Sequence, residues 1–332
     1  MIITRTPFRI SFFGGGTDYP LWYRENGGAV LSTTINKYCY ISCRHLPPFF
    51  AYKYRIRYSF REETQNIAEI KHPSVRECLN FLKIGKGIEI VHTSDIPARS
   101  GIGSSSSFTV GFLNALYALT GKMVTKRNLV QDAIHVEQDL IKENVGSQDQ
   151  VACAFGGFNK IEFGGEKEFY VYPMTLTKEK LNLLQDHLML FFTGFSRSAS
   201  DVAGEQIRNI HSKKMELKTM AATVTEAINI LNRNSGDLKD FGKLLHEAWK
   251  IKKNLSNLIS TKAIDEIYDA AVGAGALGDK LLGAGGGGFM LFFAPPENQP
   301  LIKEKLKNLL YVPFRFEGLG TQIVLYSTED IY

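Results

Sequence analysis

Cysteine is scarce in this sequence. Cys39, Cys43, Cys78 and Cys153 are the whole complement of a 332-residue chain, too few for a disulfide scaffold, and the Cys39/Cys43 pair has no second pair at zinc-site spacing. All four are expected to be ordinary buried thiols. Long apolar runs are missing as well: no stretch approaches the roughly 20 apolar residues that span a bilayer, so no membrane partner is expected. Residues 1–9 lack a basic segment followed by an apolar run and a small-residue cleavage site, which points away from a secretory signal and toward the cytoplasm. Neither sign of charge dominates. The formal charge of +5, from 39 Lys plus Arg against 34 Asp plus Glu, suits an anionic metabolite but is too small and dispersed for a nucleic-acid face. There is no fixed-period repeat, and no heptad pattern is long enough for a coiled coil, which leaves a homodimer open.

What is present reads as two soluble domains, because the chain exceeds the length over which one core usually grows. Its hydrophobic share of 44% and charged share of 22% are near globular averages. Residues 2–3 and 10–13 read as short strands interrupted by Pro7, followed by a sharp glycine turn at 14–20 and β-rich runs at 29–35, 38–44 and 52–60. A short helix is predicted over 73–82, a strand over 87–92, and a helix after 103 that Gly121 ends. Leu129, Ala133, Val136 and Leu140 form the apolar stripe of a further helix over 126–141. Strands are predicted at 158–163, 169–172 and 188–192, with a helix over 175–184. Long helical patterns fill 198–272, and three strands, 288–293, 313–316 and 322–326, surround a helix near 299–310. The fold class is α+β, with an N-terminal domain over 1–180 and a C-terminal domain over 181–332.

The chemistry concentrates first in Pro97-Ala98-Arg99-Ser100-Gly101-Ile102-Gly103-Ser104-Ser105-Ser106-Ser107. Gly101 and Gly103 permit tight curvature, and the helix that opens at the serines has N–H groups without internal partners, so amides and hydroxyls together can bind polyphosphate oxygens. The same residues also make a good helix cap with no ligand at all. Neither a Gly-x-x-x-x-Gly-Lys-Ser/Thr loop nor a Gly-x-Gly-x-x-Gly dinucleotide loop occurs.

Three separated segments resemble the GHMP family of small-molecule kinases: Pro7-Phe8-Arg9-Ile10-Ser11-Phe12-Phe13-Gly14-Gly15-Gly16-Thr17-Asp18-Tyr19, the 97–107 loop, and Lys280-Leu281-Leu282-Gly283-Ala284-Gly285-Gly286-Gly287-Gly288. They occur in family order across most of the chain. The resemblance implies a ribosomal-protein-S5-like N-terminal domain and a ferredoxin-like C-terminal domain with the active site between them. It also implies ATP and Mg2+ as cofactors, with Pro97, Arg99, Gly101, Gly103 and Ser104 to Ser107 around the phosphates. Asp149, in Gly146-Ser147-Gln148-Asp149-Gln150, matches the family's catalytic segment and would align and deprotonate a hydroxyl, with Arg9 as the opposing cation. Ser105 and Glu137 are implied as the protein ligands of Mg2+, with Asp139 as the local competitor.

Gly16-Thr17-Asp18-Tyr19 resembles the sugar-kinase end of the family. There, Asp18 can accept from vicinal hydroxyls, Tyr19 can offer a hydroxyl and an aromatic wall, and Gly15, Gly16, Gly286 and Gly287 line the acceptor. Asp18 can equally stabilise a tight turn. Gly14-Gly15-Gly16 replaces the Gly-Glu-His segment of galactokinases, which weakens plain galactose. The first segment, together with residues 192–199, is similar to the bacterial heptose 7-phosphate kinase group, which implies anomeric phosphorylation of a sugar phosphate. Thr193, Arg197 and Ser198 are candidates for the distal phosphate, since a guanidinium and hydroxyls can share its oxygens. Arg24, Lys37, Arg99 and Arg315 are further candidates without a place.

Overall fold

The computed structural model describes residues 1–166, 168–194, 199–233 and 237–327. Its framework is a pair of long antiparallel strands, Ile2–Phe13 and Gly28–His45, where four shorter ones are expected. Pro7 lacks an N–H for the ladder, and the chain accommodates it by a register shift: Pro7 pairs with Tyr38 but Phe8 with Ile35, so Asn36 and Lys37 bulge from the partner strand. Seven further strands complete a nine-stranded sheet. The helix Ser104–Leu119 lies on the two long strands and is apolar almost all round, as a central helix must be. Thr4 Oγ1 donates to Gly111 O at 3.0 Å, and an added Cβ at Gly111 would lie 2.6 Å from Thr6 Oγ1, so this helix meets the first strand at close backbone range.

A second, four-stranded sheet contains Leu310–Tyr311, Leu188–Phe192, Phe289–Phe293 and Gly278–Leu281, in that order. The last of these is not foreseen in the sequence, where Gly278-Asp279-Lys280-Leu281 has too much charge to look like a strand; all four residues are buried. Helix Lys239–Lys253 packs on it through a glycine pair, since a Cβ on Gly278 would lie 1.9 Å from Gly242 O.

The two sheets share a core. Phe241 packs edge-on against Phe12 (5.7 Å) and Phe13 (5.1 Å) of the first strand, and against Phe293 of the second sheet (5.8 Å). The chain then returns: Phe316–Glu317 pairs with Thr34 and Ile35, and Gln322–Tyr326 pairs with residues 2–5. The expected 181–332 unit is therefore not one sheet system, because its last two strands belong to the first sheet. Periodicity marks a strand but does not choose its partner.

The helix expected over 126–141 also differs. Lys126–Ile134 is α-helical, and His135–Leu140 is a π-helical turn. A wider turn rotates every later residue around the axis. Leu140 leaves the apolar stripe and is 37% exposed, while Glu137 turns inward and is fully buried.

Candidate active site

Four segments far apart in sequence meet at one point. Arg9, on the first strand and 3% exposed, grips Asp149 with a fork: Nε donates to Oδ1 at 2.7 Å and Nη2 to Oδ2 at 2.9 Å. Its Nη1 donates to Gly101 O at 2.7 Å, and its backbone N–H to Ile102 O at 3.1 Å. Arg9 thus holds the phosphate-type loop and the carboxylate in one geometry. Asp149 stands in the first turn of Gln148–Phe155, and a Cβ at Gly103 would lie 3.4 Å from its Oδ2.

The 97–107 loop is strained in the way its glycines allow. Gly101 and Gly103 have φ of +83° and +78°, and Arg99 is also left-handed at +59°, which a side chain rarely adopts. The loop closes against the third glycine-rich segment backbone to backbone. A Cβ on Gly283 would stand 2.5 Å from Gly101 Cα, one on Gly288 would stand 2.3 Å from Ser100 O, and Phe289 N donates to Ser100 O at 3.2 Å. The first helical hydrogen bond of Ser104–Leu119 runs from Ser107 N to Gly103 O, which leaves the N–H groups of Ser104 to Ser106 without helical partners.

The four serines do different things. Ser105 is exposed at the loop and Ser104 half-buried, its Oγ accepting from Arg99 N at 3.1 Å. Ser106 is buried and donates to Glu137 Oε2 at 2.8 Å; Ser107 is buried and donates to Pro7 O at 3.1 Å. The side chains of Ser106 and Ser107 are therefore turned inward, toward Glu137 and the first strand, and of the four hydroxyls only that of Ser105 is exposed. Helical geometry sends successive residues about 100° apart, so a run of four cannot share one face.

Glu137 also accepts from Gln150 Nε2, while its Oε1 is buried with no partner. Burial, and next the nearby Glu143, push its carboxyl up to about 7. The Ser105 hydroxyl and the Arg99 charge face Glu143, which burial also raises. Ser105, Ser106, Glu137 and Glu143 thus form an all-oxygen cluster beside the loop, with one orphaned carboxylate oxygen, a donor set that fits a hard divalent ion sharing phosphate oxygens. Asp139 lies elsewhere, exposed and paired to His135.

Asp18 is 2% exposed. Its Oδ1 accepts from Gly16 N at 2.9 Å and its Oδ2 from Gln148 N at 3.4 Å, and Ser147 N donates to its carbonyl at 2.9 Å. A Cβ on Gly146 would strike Asp18 Oδ2 at 1.9 Å. Asp18 therefore ties the glycine turn to the helix that carries Asp149; burial, then the Asp149 charge, raise its carboxyl. Tyr19 is buried beside it. Thr193 is occupied by the third segment: its N–H and Oγ1 both donate to Gly288 O, at 2.9 and 3.0 Å, and Oγ1 accepts from Gly288 N at 3.2 Å. Gly286 N donates to Ile259 O at 2.9 Å, and Gly287 sits at φ +149°. Arg197 and Ser198 lie outside the described residues.

Two lysines are buried: Lys252, of a Lys-Lys pair expected on a solvated helix face, and Lys280, which opens the third segment. Lys280 Nζ donates to Ser11 O at 2.9 Å and Phe12 O at 2.8 Å, joining the second sheet to the first strand. Lys252 Nζ donates to Leu281 O at 2.8 Å and Gly283 O at 2.6 Å. Burial, then the Lys252 and Arg9 charges, hold Lys280 well below the usual amine range; burial and then Arg9 hold Lys252 near 7. A cavity of 460 Å³ lined by residues that include Phe155, Asn159, Val171 and Leu181 has no titratable side chain in its wall and lies apart from this cluster.

Residues 73–157 match the family model for the GHMP kinases N terminal domain, and residues 219–312 match that for the GHMP kinases C terminal. A D-glycero-alpha-D-manno-heptose 7-phosphate kinase of Campylobacter jejuni is 31% identical over 97% of this chain and 98% of its own length. The chain belongs to the GHMP kinase family. Among solved structures, a D-glycero-D-manno-heptose 1-phosphate kinase from Bacteriodes thetaiotaomicron shares the fold at a TM-score of 0.77, with 24% identity over 98% of this chain and all of that one. A putative sugar kinase from Campylobacter jejuni matches at 0.71, with 26% identity over 97% of each chain. The two-domain α+β architecture is that of GHMP kinases, with the Arg9–Asp149 pair and the glycine-rich loops between the domains.

Proposed function

We propose that this GHMP kinase phosphorylates D-glycero-α-D-manno-heptose 7-phosphate at its anomeric hydroxyl, giving the 1,7-bisphosphate for nucleotide-activated heptose synthesis. The observation that carries the kinase reading is the Arg9 fork, which holds the Asp149 carboxylate beside Gly103, at the start of the helix where the N–H groups of Ser104 to Ser106 have no helical partners. The heptose reading is supported by the relative matched along almost the whole chain.

When bound, ATP supplies the phosphoryl group and Mg2+ offsets charge on its oxygens. The loop amides of residues 101–106 and the exposed Ser105 hydroxyl hold the polyphosphate, with Glu137 and Glu143 beside Ser105 and Ser106 to hold the ion. Asp149 orients the acceptor hydroxyl and takes its proton as the new oxygen–phosphorus bond forms and the bond to the departing nucleotide breaks. Arg9 keeps the carboxylate in place. Because three of its N–H groups are committed to Asp149 and Gly101, its first task is positioning, with the charge a contribution at short range.

The test is a panel of sugars and sugar phosphates with ATP and Mg2+, with the product identified by NMR for position and anomer. Anomeric phosphate on the heptose 7-phosphate is the expected product. Preference for fucose or galactose would replace the heptose assignment, and ATP turnover that ignores every sugar would remove the sugar-kinase reading.

A further inference from the structure

Lys252 stands where the inner face of a helix calls for an apolar side chain. It lies in the last turn of Lys239–Lys253 and is 4% exposed, whereas Lys250 is exposed and Lys253 half-buried. An amine taken out of water is costly unless its donors are met. Both of its hydrogen bonds go to one short stretch of chain, Leu281 O at 2.8 Å and Gly283 O at 2.6 Å.

That stretch opens the third glycine-rich segment, and its carbonyls alternate. Those of Leu281 and Gly283 turn to Lys252, while the one between them faces the 97–107 loop: a Cβ on Gly101 would lie 2.5 Å from Leu282 O, and one on Gly283 would lie 2.5 Å from Gly101 Cα. Gly101 is thus held from two sides. Arg9 Nη1 takes its carbonyl from the first strand, and the backbone at 282–283, fixed by Lys252, closes on it from the second sheet. The other ties of the segment lie further along, where Ala284 O accepts from Gln206 Nε2 at 2.7 Å and Gly286 N donates to Ile259 O at 2.9 Å.

We propose that Lys252 is a positioning residue for the nucleotide phosphates: by holding the carbonyls of Leu281 and Gly283, it keeps the backbone at 282–283 against Gly101 and so fixes the loop amides that receive the polyphosphate. It acts through the segment and makes neither of its hydrogen bonds to the loop. The charged groups around it are Arg9, Lys280 and Asp18. A neutral amine keeps two N–H groups, enough for both carbonyls, so the role survives loss of the proton. The inference rests on the kinase reading for what the loop binds.

The experiment compares the full-length wild type with Lys252→Met, which keeps the length of the side chain and removes its donors, and with Lys253→Met as a control in the same helical turn. ADP and adenosine are titrated by calorimetry, and steady-state kinetics are run with ATP and the accepted sugar. Lys252→Met should bind ADP about tenfold more weakly, the equivalent of about one hydrogen bond, with adenosine affinity unchanged because the loop serves the phosphates. Its KM for ATP should rise by a similar factor and its KM for the sugar should not, while Lys253→Met should match the wild type throughout. Wild-type ADP affinity in Lys252→Met, or an equal loss for adenosine and sugar, would overturn the positioning role and leave the kinase reading intact. If Lys252→Met fails to fold, Lys252→Gln, with two N–H groups on a shorter side chain, decides by the same split between ADP and adenosine. A wild type that binds ADP, loses that affinity selectively in Lys252→Met, yet transfers no phosphoryl group to any sugar would retain the role of Lys252 and remove the sugar-kinase reading instead. A wild type that binds no ADP would overturn the inference.

Discussion

Asp149 and Arg9, which the family resemblance pairs in role, are joined directly by a two-bond fork that the sequence does not show. Replacing Asp149 with Asn keeps the shape but removes the proton acceptor; kcat should fall by about 10²–10⁴-fold, while the nucleotide Kd, measured by fluorescence titration, should stay near wild type. Near-normal turnover would take Asp149 out of the proton-transfer role. Lys252 allows a test of electrostatics by stability instead. Its folded value near 7 lies below the ordinary 10.5, so between those values the unfolded chain binds the additional proton, and stability rises with pH across that window. The unfolding free energy of wild type relative to Lys252→Met should therefore grow from pH 7 to 9, by at most about 1.4 kcal/mol per pH unit. A flat difference in urea titrations would mean that the amine stays charged when folded, held by the carbonyls of Leu281 and Gly283.

At the level of elements, the 97–107 loop and the glycine-rich segment at 283–288 are locked together backbone to backbone. Gly283 has φ of +73° and no room for a Cβ beside Gly101. Gly283→Ala must displace the loop, and should cost more than about 1 kcal/mol in stability and weaken nucleotide binding more than sugar binding. Equal weakening of both ligands would argue for general unfolding rather than loop displacement. Most elements around the site are visible in the sequence: Pro73–Phe81, Leu188–Phe192 and Gln322–Tyr326 fall where periodicity puts them. The π-helical turn at His135–Leu140 is not visible, because one local change of pitch leaves the residue pattern intact while exchanging Leu140 for Glu137 at the interior. Strand Gly278–Leu281 is hidden for another reason: burial raises the Asp279 carboxyl and lowers the Lys280 amine, and the carbonyls that receive Lys280 come from the first strand, far away in sequence.

For the whole molecule, the return of the chain to the first sheet links the two domains more firmly than a single hinge would. Strand Gln322–Tyr326 pairs with the start of Ile2–Phe13, the strand that carries Arg9. Truncation after residue 315 should therefore destabilise the N-terminal domain, with a drop in hydrogen-exchange protection at the amides of residues 2–5, although the removed residues belong to the other end of the chain. Unchanged protection there would contradict the strand pairing.

The local chemistry was written in the chain: glycine where the backbone must turn left-handed, serines at a helix start, and three segments whose order marks the GHMP kinases. Those features depend on neighbours in sequence, and short-range sterics and hydrogen bonding act within a few residues. Which serine faces Glu137 and how Lys280 reaches the first strand depend on groups whose residues stand tens to hundreds of positions apart. Only packing brings such groups together, and burial then gives their charges and unpaired atoms a meaning that composition does not carry.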